Sequence, residues 1–157
     1  CVPAWPRQGT AMDRSRSRPT AHVAGHPVHA ALVPFPIVCF TLVLATDIAY
    51  WQTGNLMWLN FSSWLLFAGI VFGGLAALFG LIDLLGSRAI RSAAPAWPHA
   101  IGNVVVLALA FANNLVHARD GWTAVVPTGL ILSALTVAGM TLTVWLGRSL
   151  SHRLVRT

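Results

Sequence analysis

Four side chains able to bind a metal or carry a proton, His26, His29, Asp83 and His99, stand at the ends of apolar runs, where they should come to similar depth. Imidazole nitrogens suit iron and other transition metals, and a carboxylate beside them adds a negative charge or a proton acceptor. Two histidines on facing helices can hold a b-type haem, because bundle interiors host such groups. His29 and His99, with His26 as an alternative, are therefore the candidate haem or metal ligands. At the opposite ends of the same runs Asp47 and His117 are also level, with Arg119 and Asp120 nearby. His29 precedes Asp47, and His99 precedes His117, by about 18 residues, or five turns at 3.6 residues per turn, so each pair shares a helix face.

His99, Asn103, Asn113, Asn114 and His117 fall within an arc of about 100° on one helix. Unpaired amides and imidazoles in hydrocarbon cost several kcal/mol each, so this stripe must look into a bundle or a wet cavity. Three functions fit these groups. Interhelical hydrogen bonding that fixes the bundle makes the chain a structural or accessory membrane subunit, and this reading comes first. A bis-histidine haem carrier or membrane anchor for a redox partner comes second, with Gly80 and Gly102 leaving room for the macrocycle. A small proton or metal transporter comes third, since few acids make a thin pathway unless the chain forms a homo-oligomer. No nucleophile with a base, phosphate-cradling glycine loop or cysteine metal motif is present, so the expectation is a protein that is not an enzyme.

The elements that position these groups follow from composition. Of 157 residues 56 % are hydrophobic and only 9 % charged, against about a quarter charged in soluble chains. That excess calls for a lipid bilayer as solvent. Apolar runs cover 30–51, 62–82, 98–118 and 125–146, each long enough at about 1.5 Å per residue to cross about 30 Å of hydrocarbon. The fold class expected is all-α, a polytopic bundle of four transmembrane helices with short connections. Residues 1–24, rich in Pro, Arg, Ser and Thr, read as a disordered basic leader, and 25–157 as the membrane domain. A first residue that is cysteine, with no methionine before it, reads as a trimmed or incomplete frame. Cys39, within the first run, reads as a small buried hydrophobe.

Charge sets the orientation. Arginines 7, 14, 16, 18, 88, 91, 148, 153 and 156 lie on one side of the runs and Arg119 alone on the other. Cytoplasmic flanks carry the excess of arginine, so both termini are expected in the cytoplasm of a bacterial inner membrane. Tyr50, Trp51, Trp58 and Trp122 should form the outer aromatic belt, with Trp97 and Trp145 at the inner one. The net charge of +6 belongs to these flanks and not to a polar face interleaved with aromatics, which argues against nucleic acid.

Gly69, Gly73, Ala76, Gly80 and Asp83 form a stripe of small residues ending in a carboxylate. Gly129, Ser133, Thr136, Thr143 and Gly147 form another, and both allow close helix packing. Runs one and two also read as a weak copy of three and four, since His29-Ala30 is echoed by His99-Ala100. Such a copy implies parallel repeats about an axis along the membrane normal. Pro34 and Pro36 remove two backbone donors at the first helix entry, where His29 is expected to help satisfy the freed carbonyls.

The run Gly25-His26-Pro27-Val28-His29-Ala30-Ala31-Leu32-Val33-Pro34-Phe35-Pro36-Ile37 resembles the opening signature of a bacterial membrane family known as domain of unknown function 2231. Phe79-Gly80-Leu81-Ile82-Asp83, His99 with Asn103, and Trp145-Leu146-Gly147 extend the resemblance over nearly everything after Gly25. It implies a four-span domain whose characteristic polar residues are His26, His29, Asp83, His99 and Asn103, in a family sometimes joined to redox domains of the Rieske or cytochrome kind. The chain departs from the family pattern at Ala30, where a second proline is usual, and at Gly147-Arg148-Ser149-Leu150-Ser151-His152, where a glycine pair, an acid and a tyrosine are usual.

Overall fold

The computed structural model describes residues 22–23, 26–118 and 125–156, without the side chains of 22–27, 151 and 153–156. The leader expected over 1–24 lies outside these residues except for His22–Val23, which pairs antiparallel with His26–Pro27 in a two-residue ladder. Arg119, Asp120 and Trp122 lie outside them too. The rest is helical: α1 Val28–Leu32, α2 Pro34–Thr53, α3 Leu56–Gly86, α4 Arg88–Ser92, α5 Ala96–His117, and α6 Leu130–Arg156 after an irregular turn at Val125–Gly129. Four helical stretches are long and apolar enough to cross a membrane: Val28–Thr53, Leu56–Gly86, Ala96–His117 and Val125–Leu150. Their outward faces carry large apolar side chains; Trp64 is 72 % exposed. With no water to reward burying them, such faces meet lipid.

The helix ends have local causes. Gly54 closes α2 in the left-handed region (φ 64°) and its N–H donates to the Tyr50 carbonyl, the usual glycine stop. Asn55 then caps α3, its Oδ1 accepting from the Met57 N–H at 3.0 Å. The Gly-Asn pair makes a two-residue connection between α2 and α3 and lets α3 begin at Leu56, ahead of the expected 62. At 31 residues, α3 is about 46 Å long, so it must tilt or rise beyond the hydrocarbon. Pro34 stands in the first turn of α2 after a break at Val33, where a missing N–H costs nothing. No carbonyl there depends on His29, contrary to the expected local role. Val126 is extended (φ −114°, ψ 120°), as a residue before proline prefers.

α2 and α5 each pack against both α3 and α6. The four therefore form a ring in which α2 faces α5, and α3 faces α6, across the middle. Phe40, Val43, Leu66, Val106, Ala110 and Met140 fill the centre. Close approach rests on the small-residue stripes: a Cβ on Gly69 would come within 3 Å of the Phe40 ring, and one on Gly102 would meet Thr143 Cγ2 at 2.5 Å. Cys39 is half-buried, not fully buried as its position in the run implied.

The repeat is visible in the burial pattern. Residues 37–48 and 107–118 show the same order of buried, half-buried and exposed positions, and so do 69–81 and 136–148. Each hairpin thus presents the same faces to the other, and α2 with α3 relates to α5 with α6 by an approximate two-fold axis along the bundle.

Candidate functional site

The polar residues gather at the two ends of that axis. At the end away from the arginines Asp47 on α2 is fully buried. Its Oδ1 accepts from the Ser62 hydroxyl at 2.5 Å and lies 2.9 Å from His117 Nε2; its Oδ2 accepts from the Ser133 hydroxyl at 2.5 Å. Ser133 in turn accepts from Asn113 Nδ2 at 2.7 Å, and Thr46 Oγ1 stands 2.7 Å from Ser62 Oγ. One carboxylate therefore ties α2 to α3, α5 and α6 together.

His117 Nδ1 lies 2.9 Å from the Asn113 carbonyl, so its N–H donates there and Nε2 faces the carboxyl. A single proton between Nε2 and Oδ1 completes the pair, which carries no net charge and can sit in hydrocarbon without an uncompensated ion. Asn113 Oδ1 is buried with no partner among the described residues; the amide is held in that orientation because Ser133, whose hydroxyl hydrogen points to Asp47, must accept. Asn114 is half-buried and makes none of these bonds.

At the arginine-bearing end His29 Nδ1 lies 2.7 Å from the Ala76 carbonyl and His99 Nδ1 lies 2.8 Å from the Thr143 carbonyl. Each ring thus donates its Nδ1–H to the next helix along, α1 to α3 and α5 to α6. Gly80 and Gly147 lie under the two rings: an added Cβ would meet His29 Nδ1 at 2.9 Å or His99 Cε1 at 2.9 Å. Gly80 therefore seats an imidazole, and Gly102 seats Thr143; neither is the spare room for a macrocycle that the sequence implied. The ring centroids are 6.3 Å apart and nearly perpendicular, at 86°. Nδ1–H donation to carbonyls is the arrangement that leaves Nε2 for a ligand, although Asn103 Nδ2 stands 3.0 Å from His99 Nε2 and donates to it.

Both rings line an open slot of about 1020 Å³, as do Asp83, Asn103, Arg148 and His152. A smaller cavity of about 60 Å³ continues from it towards Phe40. The slot is built in two-fold pairs, with His29 opposite His99, Ala77 opposite Val144 and Gly80 opposite Gly147. Of the cluster expected at this end, His29, Asp83 and His99 line the same slot, but among the described residues they form no group of three that could hold a metal ion; the His26 side chain lies outside the described residues.

Ser62 and Ser133 are the members of this network that the sequence pattern does not single out: it places Ser133 in a packing stripe and Ser62 at a helix start, yet both sit one helix away from the single acid in the first run. A buried carboxylate needs donors, and hydroxyls at the same depth are the signal that could have found them.

A ring of four membrane-crossing helices, sealed at one end by a shared carboxylate and open at the other around two imidazoles, defines a compact four-span membrane bundle. The chain belongs to the family described as predicted membrane protein (DUF2231), whose model matches residues 25–155. No curated protein and no solved structure matches the chain.

Proposed function

We propose that this chain is a membrane-bound electron-carrying subunit, a carrier and not a catalyst, whose slot holds a b-type haem between His29 and His99 and exchanges single electrons with a redox partner protein. The reading places it in the bacterial cytoplasmic membrane with the arginine-bearing end, and so the slot, on the cytoplasmic side. The observation that carries it is the matched pair of imidazoles: two rings across a two-fold axis, each fixed through Nδ1–H to a carbonyl, on opposite walls of a mostly apolar slot. Haem would supply the reversible one-electron change at iron; the chain supplies ligand orientation, an apolar wall and exclusion of water. Asn103, which donates to His99 Nε2, would have to release that nitrogen for it to hold the iron.

Transport is disfavoured by the centre of the bundle, where Phe40, Val43, Leu66, Val106 and Met140 form a dry plug between the two polar ends. The simpler accessory-subunit reading shares the fold and leaves the slot without a resident group. The reduced-minus-oxidised visible spectrum of detergent-purified protein, expressed with ample haem, separates the two. Haem bands that disappear in both His29→Ala and His99→Ala, with helical content unchanged, are expected; a wild-type protein without them contradicts the carrier reading.

A further inference from the structure

The two halves of the slot differ at Asn103, whose counterpart is Val33, and where charge enters. Leu81 on α3 occupies the place that Arg148 takes on α6, and His152 lies one turn beyond Arg148 on the same side. Asp83 on α3 corresponds to Leu150 on α6. The α6 edge of the slot therefore carries a guanidinium and an imidazole, while the α3 edge carries leucine and a carboxylate. No salt bridge occupies Arg148 among the described residues, where the ion pair found is His117 with Asp47.

We propose that Arg148, assisted by His152, binds the carboxylates of the slot's occupant, so that a macrocycle ligated by His29 and His99 is held in one orientation with its anionic edge towards α6. The inference rests on the haem reading above and adds to it a polarity that two matched imidazoles cannot supply. An arginine fork offers paired N–H donors that match a carboxylate's two oxygens. No arginine lines the opposite edge of the slot among the described residues, so the reversed orientation gains no such pairing. A two-fold slot without this asymmetry would accept the macrocycle either way round.

Titration of the purified full chain with haem and with its dimethyl ester, followed by Soret absorbance, tests the assignment. The ester keeps the iron and ring and lacks the negative charges. Wild-type protein is expected to bind haem at least tenfold more tightly than the ester, Arg148→Leu to lose that preference by weakening haem alone, and Arg148→Lys to retain part of it. Equal affinity of wild-type protein for the two compounds overturns the assignment while leaving the haem site standing, as does equal weakening of both by Arg148→Leu. Failure of wild-type protein to bind either compound removes the haem reading itself.

Discussion

The two ends of the α2–α5 diagonal place similar residues to opposite effect. At one end Asp47 and His117 meet directly, are buried, and receive hydroxyls from both remaining helices. At the other, His29 and His99 stand apart, each tied to a carbonyl of its own hairpin, with a slot beside them. An approximate two-fold axis brings equivalent positions together wherever it runs. Where the two residues are an acid and a base they close the bundle, and where they are two bases they hold it open. The asymmetric pair thus acts as the lock, and the symmetric pair borders the slot that is the candidate site.

Removing the lock should have the largest effect. Asp47→Ala leaves a buried imidazole and two hydroxyls without their acceptor and is expected to cost about 3–5 kcal/mol. A reversible unfolding titration in mixed micelles measures it, and Asp47→Leu with His117→Leu should recover much of the loss because no charge is then stranded.

A matched pair of glycine changes sharpens the contrast. A Cβ at Gly129 would meet His117 Cε1 at 2.9 Å, and one at Gly147 would meet His99 Cε1 at 2.9 Å. The intruding atom is the same and both rings are held at both nitrogens, but His117 lies buried inside a full core, whereas His99 is only half-buried and borders the open slot. Gly129→Ala is expected to destabilise by about 1–3 kcal/mol, the cost of overpacking, and Gly147→Ala by clearly less. The same titration decides, and equal costs would mean that the slot is as closed as the lock.

The smallest expected difference separates the two serines. Ser133→Ala removes a donor to Asp47 and strands Asn113 Nδ2, while Ser62→Ala removes a donor and leaves Thr46 with its own helix carbonyls. Interhelical hydrogen bonds in membranes average about 0.6 kcal/mol, so Ser62→Ala should cost about that and Ser133→Ala about twice as much.

Much of the fold was legible in the sequence. Four apolar runs give four spans, and equal spacing of ionisable residues on runs one and three announces that their ends coincide. The small-residue stripes gave the packing faces, because Gly69, Gly73, Ala76, Ser133, Thr136 and Thr143 are all buried. Helix lengths were less legible: α3 begins at Leu56 and ends at Gly86, since the Asn55 cap and the Ser87 stop are local hydrogen-bond events that an apolar window does not register. The level of Asp47 with His117 was predictable, but their direct bond was not. It depends on which helices are diagonal, a choice set by packing between hairpins and invisible to single-helix periodicity. The slot, likewise, exists only where two hairpins diverge.

The most direct test is a pair of double-mutant cycles in haem-free protein, one at Asp47 and His117 and one at His29 and His99, with alanine substitutions and unfolding free energy as the readout. A coupling above about 1 kcal/mol at the first pair and a clearly smaller one at the second is predicted, since the first is a buried hydrogen-bonded pair and the second meets only ring edge to face. Strong coupling between His29 and His99, or none between Asp47 and His117, would contradict the division into lock and site.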